Sequence, residues 1–249
     1  MEALLSLLDE NFLYSFLLLL ARVLAFLVFM PVFSHTAVSP TIRIALGFYF
    51  TVFIYPFVNL QNDVTQEVFI EALISEITLG LIASFLMNII FSAITIIGDF
   101  VSYATALSMA NMFDPATGSN QGIVSRFLYI IAILIFFETG MYEITIMMLV
   151  KSFDMVQLGA FNIFAFDGIQ IAIDEIKRMF AFAFSFAFPL FFIAFILDIY
   201  YGYGTKSMPA FSPFIVTFQL KFLLVFLFMM FGFEIFVQSF KDYFIAKFS

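Results

Sequence analysis

The sequence predicts an all-α integral membrane protein, and three observations predict it. Of 249 residues, 64% are hydrophobic and 11% charged, with a mean hydropathy of +1.11. Soluble domains sit near 45–50% apolar and about 25% charged, so one globular core cannot hide this excess. Apolar runs recur along the chain, several reaching the roughly 20 residues that a membrane-crossing helix needs. The stretch that hints at a strand, "FAFAFSFAFPLFFIAF" from Phe180 to Phe195, is apolar in both of its alternating phases. A barrel strand would alternate apolar with polar, so a helix is the better reading. No separate soluble domain is visible, and residues 1–249 read as a single membrane domain.

Composition also excludes chemistry. The absence of cysteine rules out disulfides, thiolate nucleophiles, iron–sulfur clusters and cysteine zinc sites. His35 is the single histidine, so no pair of histidines is available for a zinc motif. No cofactor is indicated. A net charge of -8 argues against nucleic acid as a partner. With 41 phenylalanines and no tryptophan, interfacial anchoring falls to ten tyrosines.

The N-terminus, "MEALLSLLDENFLYSFLLLL", carries Glu2, Asp9 and Glu10 where a secretory signal has basic residues. The first apolar run is therefore expected to stay in the mature protein. Apolar spans follow at roughly 12–30, 44–60, 68–97, 127–150, 179–200 and 214–237. The second is short and ends at Pro56; the third exceeds one crossing and contains Glu71, Glu76 and Asn88. Before the fifth, Ile169, Ile173, Ile176 and Phe180 recur at helical spacing, and Asp174, Glu175, Lys177 and Arg178 face elsewhere. That pattern predicts an amphipathic helix capped by Asp167, either packing at an interface or lining a pore. In the fifth span Ala181 with Ser185 and Ala183 with Ala187 are small-xxx-small pairs that permit close helix approach, and Pro189 predicts a kink. Basic residues between spans give no decisive orientation.

Ionisable residues interrupt these runs: Arg22, Glu76, Asp99, Glu138, Glu143, Asp198, Lys221 and Glu234. A charge at the bilayer centre costs roughly 2.5–3.5 kcal/mol on insertion scales, so each should face protein or water. Either they pair structurally, within the chain or with neighbouring subunits, or they mark a proton or ion path. One irregular stretch, "SMANMFDPATGSNQGIVS" from Ser108 to Ser125, lies between two apolar runs. It is either a solvated loop or an irregular segment buried in protein or lining a wet cavity, the settings that tolerate such backbone at membrane depth.

Three blocks carry a family resemblance. The first, "ARVLAFLVFMPVFSHTAVSPTIRIALGFYFTVFIYP", is punctuated by Arg22, Pro31, Arg43 and Pro56. The second has Glu76 and Gly80 in "SEITLGL", then Gly98 and the pair Asp114-Pro115. The third, "DIYYGYGTKSMPAFSPFIVTFQLK", holds Asp198, Gly202, Lys206, Pro209, Phe214 and Lys221. In order and spacing the chain resembles the FliR family, the flagellar export-gate subunits related to the SctT proteins of virulence secretion systems.

The resemblance implies an export-gate architecture of helical hairpins, with a FliP-like part fused to a FliQ-like part. It implies a non-enzymatic subunit that joins FliP-like and FliQ-like chains, with FlhB-like and FlhA-like export components, in the bacterial inner membrane at the flagellar basal body. Exported unfolded proteins and membrane lipid are the further contacts it implies. A loop then helps to plug the channel: Ala110, Asn111, Met112, Phe113, Asp114 and Pro115, continuing through Ala116, Thr117, Gly118, Ser119, Asn120, Gln121 and Gly122. Arg22, Arg43, Glu76, Asp198, Gly202, Lys206, Pro209 and Lys221 become structural or assembly residues. Gly202, Gly204 and Pro209 are expected to shape a turn after Asp198. Two other readings stand beside it: an SctT-like virulence subunit, or a proton-coupled membrane carrier resting on the intramembrane acids. An intramembrane enzyme has no placed constellation of serine, His35 and acids to support it.

Overall fold

The computed structural model describes residues 10–34, 38–58, 68–108, 122–162, 165–207 and 213–248. Eight α-helices are described: α1 (Glu10–Phe29), α2 (Pro40–Ile54), α3 (Phe69–Ala104), α4 (Ile123–Glu138), α5 (Met141–Met155), α6 (Gly168–Ser207), α7 (Pro213–Phe231) and α8 (Phe233–Phe248). No strand is present among the described residues, so the all-helical class expected from composition is the observed one. Contacts divide the chain into two compact units. One holds residues 1–89 and 142–175, the other residues 90–141 and 176–249.

In the first unit α1 presents Leu18, Leu19, Val23 and Phe26 inward at helical spacing, all buried. Ser39 caps α2 by accepting the amide hydrogen of Ile42, with Pro40 at the first helical position where its missing N–H costs nothing. Pro56 sits in a short 3-10 turn, Tyr55–Phe57, that ends α2. In the second unit an aromatic core forms around Phe91, whose ring lies 5.9 Å from those of Tyr129 and Phe136 and 6.1 Å from that of Phe240. Such tilted and edge-on pairs suit the ring quadrupoles.

Helix lengths and breaks add detail to the six apolar runs. At about 1.5 Å per residue, the 36 residues of α3 and the 40 of α6 run far beyond the roughly 30 Å hydrocarbon core. The fourth apolar run is not one helix: α4 ends at Glu138, and Gly140, with φ at +73°, separates it from α5. The last run is also broken, with α7 and α8 bent by 58° around Gly232. Conversely, the predicted amphipathic helix and the fifth span are one continuous helix, α6, which passes through Pro189. Asp167 caps its start, accepting from the amide of Gln170 at 3.4 Å. Among the described residues, four helices are long and apolar enough to cross a membrane, or up to six spans if each broken pair counts as one.

The structure assigns the faces along α6. Ile169, Ile173, Ile176 and Phe180 are exposed, whereas Glu175 and Met179 are buried. The inward stripe in the second unit is Met179, Ala183, Ala187, Leu190 and Ala194. Small residues dominate it because dispersion between closely approached backbones replaces the hydrophobic effect in lipid. Only one of the two small-residue pairs is packed: Ala183 and Ala187 are 0% and 1% exposed, while Ala181 and Ser185 face outward. Replacing Ala183 by Leu should therefore overpack the contact and cost about 1–3 kcal/mol, and Ala181→Leu should cost little. Thermal unfolding of the two variants in detergent checks this; equal effects would contradict the face assignment.

Candidate functional site

The most deeply buried polar cluster begins with Arg22, midway along α1 and 0% exposed. Its Nε and Nη2 donate as a fork to the two carboxylate oxygens of Glu76 on α3, the second at 3.0 Å. Nη1 donates to the Ser152 carbonyl at 2.9 Å and its hydroxyl oxygen at 3.3 Å, and Nη2 also reaches the Val156 carbonyl at 3.0 Å. An arginine has five N–H donors in a fixed fork, and these contacts use the whole fork. The Ser152 and Val156 carbonyls lie at the C-terminal end of α5, where the helix dipole favours a cation; the Ser152 carbonyl also accepts the Val156 N–H at 3.0 Å. The guanidinium carbon also stands 4.3 Å from the centre of the Phe153 ring, an attractive cation–π placement.

Glu76 is equally buried, and its Oε1 accepts from the backbone N–H of Gly159 at 2.8 Å. Gly159 has φ at +75°, a conformation that disfavours a side chain. One turn beyond Glu76, Gly80 lets α3 approach α1: a Cβ there would lie 2.6 Å from the Arg22 carbonyl oxygen. The glycine in "SEITLGL" thus sets the spacing at which Arg22 and Glu76 can meet. Arg22, Glu76, Ser152, Val156 and Gly159 together tie α1, α3 and the end of α5 in the first unit. Sequence reasoning singled out Arg22, Glu76 and Gly80. It missed Ser152, Phe153 and Gly159, because a backbone carbonyl carries no sequence signal and a lone glycine in "QLGAFN" is common loop chemistry.

Several of the other charges that the sequence placed in or near lipid also have partners within the chain. Ser125 on α4 donates to Asp99 on α3. Lys221 on α7 pairs with Asp198 on α6. Asp198 remains about half exposed, so that pair is partly screened and individually weak. Arg43 donates to the carbonyls of Val38 at 3.1 Å and Ser34 at 3.0 Å, holding the approach to α2. Glu138 and Glu234 are exposed on this chain, as is Lys206 near the end of α6. Gly202 does not form a turn: α6 continues through it to Ser207, and a Cβ there would meet nothing within 4 Å. The α-helical hydrogen bonds simply persist past the glycines. Pro209, His35 and the stretch Ala110 to Gln121 lie outside the described residues, while Gly122 is the N-cap of α4 in extended conformation.

A chain of long apolar helices with its buried charges spent on tying helices together is an integral membrane protein of the all-helical class. Residues 13–246 match the family described as bacterial export proteins, family 1. Similar proteins are the flagellar biosynthetic protein FliR of Aquifex aeolicus, 27% identical with 86% of this chain and 83% of the relative covered; that of Bacillus subtilis, 27% identical over 83% and 81%; and that of Pectobacterium carotovorum, 28% identical over 84% and 80%. The chain belongs to this FliR family of bacterial export proteins. Membership makes it a membrane-embedded component of the flagellar export apparatus.

Breaking a buried ion pair leaves an unpartnered charge, at a cost of about 3–5 kcal/mol, whereas replacing both partners by apolar groups is often tolerated. Arg22→Ala and Glu76→Ala should each sharply lower the folded yield of the subunit, and the paired change Arg22→Met with Glu76→Leu should restore part of it. Arg43→Ala, which loses hydrogen bonds from a charged group to carbonyls, should cost about 1.5–3 kcal/mol. Folded yield from co-expression with the export components, read by size-exclusion chromatography, ranks the variants; a double variant worse than both singles would show that the pair does not act as a unit.

Proposed function

We propose that this chain is a non-enzymatic core subunit of the flagellar type III export gate in the bacterial inner membrane. The observation that carries the reading is the family match, which spans residues 13–246. In this reading the chain joins FliP-like and FliQ-like subunits, is served by FlhB-like and FlhA-like components, and forms with them the channel entrance through which unfolded flagellar proteins leave the cytoplasm. The relatives' name, flagellar biosynthetic protein, favours flagellar over virulence use. Partnered acids support a gate subunit over a proton-coupled carrier: Glu76 is occupied by Arg22 and Gly159, Asp99 by Ser125 and Asp198 by Lys221.

Outward-facing aromatic side chains support an assembled state. Phe188, Tyr200 and Tyr203 on α6 and Phe231 on α7 are each more than 60% exposed on the isolated chain. Lipid or neighbouring helices must cover such surface. The irregular stretch Ala110–Gly122 acts in this reading as the channel plug, with glycines for tight bends and methionines as flexible apolar filling.

Two measurements test the proposal. Gentle extraction of the tagged chain should give a complex whose mass includes FliP-like and FliQ-like subunits, and recovery of a folded chain alone that transports a small solute would favour the carrier. Deleting residues 110–121 in an otherwise intact gate should raise dye or ion leakage across the inner membrane while some protein export persists. Equal leakage with and without the stretch, in a gate of confirmed composition, would leave it a connector.

A further inference from the structure

The crossing of α3 and α4 in the second unit is too close for side chains. A Cβ on Gly98 would lie 2.6 Å from the Ser125 backbone nitrogen and 2.8 Å from its Oγ. A Cβ on Gly122 would lie 2.8 Å from Ser102 Oγ. Ser102 and Ser125 are 2% and 0% exposed. The Ser102 hydroxyl donates back to the Gly98 carbonyl at 2.8 Å, and the Ser125 hydroxyl donates to Asp99. Asp99 thereby sets its carboxylate beside the first turn of α4, where the helix dipole favours an anion. Val101 near the end of α3 and Thr105 just past it are fully buried, and Thr105 spends its hydroxyl on the Val101 carbonyl at 2.8 Å. The Ser102, Thr105 and Ser125 hydroxyls are thus all hydrogen-bonded within this part of the second unit, and the Cβ distances at Gly98 and Gly122 leave little clearance between the two helices.

We propose that Gly98, Asp99, Ser102, Gly122 and Ser125 form a fixed joint between α3 and α4 that stays closed while protein is exported. Ser102 precedes the stretch assigned above as the plug and Gly122 is its last residue, so the joint anchors the chain on both sides of residues 110–121 in the idle and exporting gate. Any rearrangement that admits cargo must then take place outside the joint. Asp99 and Ser125 act as positioning residues, through the backbone they hold. This inference rests on the reading of the chain as an export-gate subunit.

A tether between the two helices tests it, because the chain has no cysteine of its own. A Cβ at position 122 would stand 3.4 Å from that of Ser102, close to the roughly 3.5–4.5 Å of a disulfide. The φ of −60° at Gly122 also admits a side chain. The double variant Ser102→Cys with Gly122→Cys is placed in the whole gate in cells and oxidised with diamide. Bridge formation is read by protection from a maleimide mass tag, and export by secretion of a flagellar protein. The expected result is near-complete bridging with export within about twofold of the reduced state. Bridging that stops export, with recovery on reduction, would overturn the fixed joint, as would failure to bridge in an assembled gate.

Hydrogen exchange on the purified native gate gives a second measurement that needs no substitution. Protection of residues 98–105 and 123–128 should be the same in empty gates and in gates jammed with an export substrate. A loss of protection in the jammed gate would overturn the proposal. Deleting the whole chain separates the underlying reading: export that survives the deletion refutes the gate assignment, while the tether result speaks to the joint.

Discussion

The Arg22–Glu76 pair is the constraint on which the first unit depends. Two charges removed from water need each other and every remaining lone pair and proton filled. Glu76 supplies one acceptor set for the arginine, and the exposed end of α5 supplies the other. The geometry admits no looser packing, since Gly80 brings α3 against the backbone of α1 and Gly159 turns the chain so that its N–H reaches the carboxylate. A charge within an apolar helix thus becomes the reason that three helices have one arrangement, which a surface of leucine and phenylalanine alone would not specify.

Hydrophobicity in this chain does two separate jobs. The buried portion forms two cores, one around Leu18, Leu19, Val23 and Phe26, the other a cluster of rings centred on Phe91 and Phe136. The exposed portion is as apolar as the buried one, with Phe188 at 61% and Phe231 at 72% exposure. In water such a surface would aggregate; against lipid or neighbouring helices it is compatible with solution of the whole assembly in a membrane. The same duality explains why hydropathy alone does not tell a long straight helix from a broken pair, because helices of 36 and 40 residues and the pairs broken at Gly140 and Gly232 present similar apolar composition.

Polar chemistry is concentrated at helix crossings. Arg22 with Glu76, Ser125 with Asp99 and Lys221 with Asp198 each connect two different helices. Glycines accompany the first two, at Gly80 and at Gly98 with Gly122. A satisfied polar contact at zero clearance resists sliding in a way that a purely apolar contact between smooth helices does not.

The class, the membrane setting and the family resemblance are all legible in the residue order. Composition forces the membrane reading, helical length follows from the apolar runs, and the order of Arg22, Glu76, Gly80, Gly98, Asp198 and Lys221 carries the resemblance that the family match then established. Only the tertiary structure decided which charges meet, and it placed the partners of Arg22 partly on backbone carbonyls of Ser152 and Val156 that no residue pattern announces. It also turned the inward face of α6 to Met179, Ala183 and Ala187 in place of the isoleucine stripe. Periodicity measures polarity around one helix, and in lipid the apolar side is free to face outward. Close packing selects the small-residue side inward, and that choice belongs to the neighbouring helix as much as to the sequence of α6.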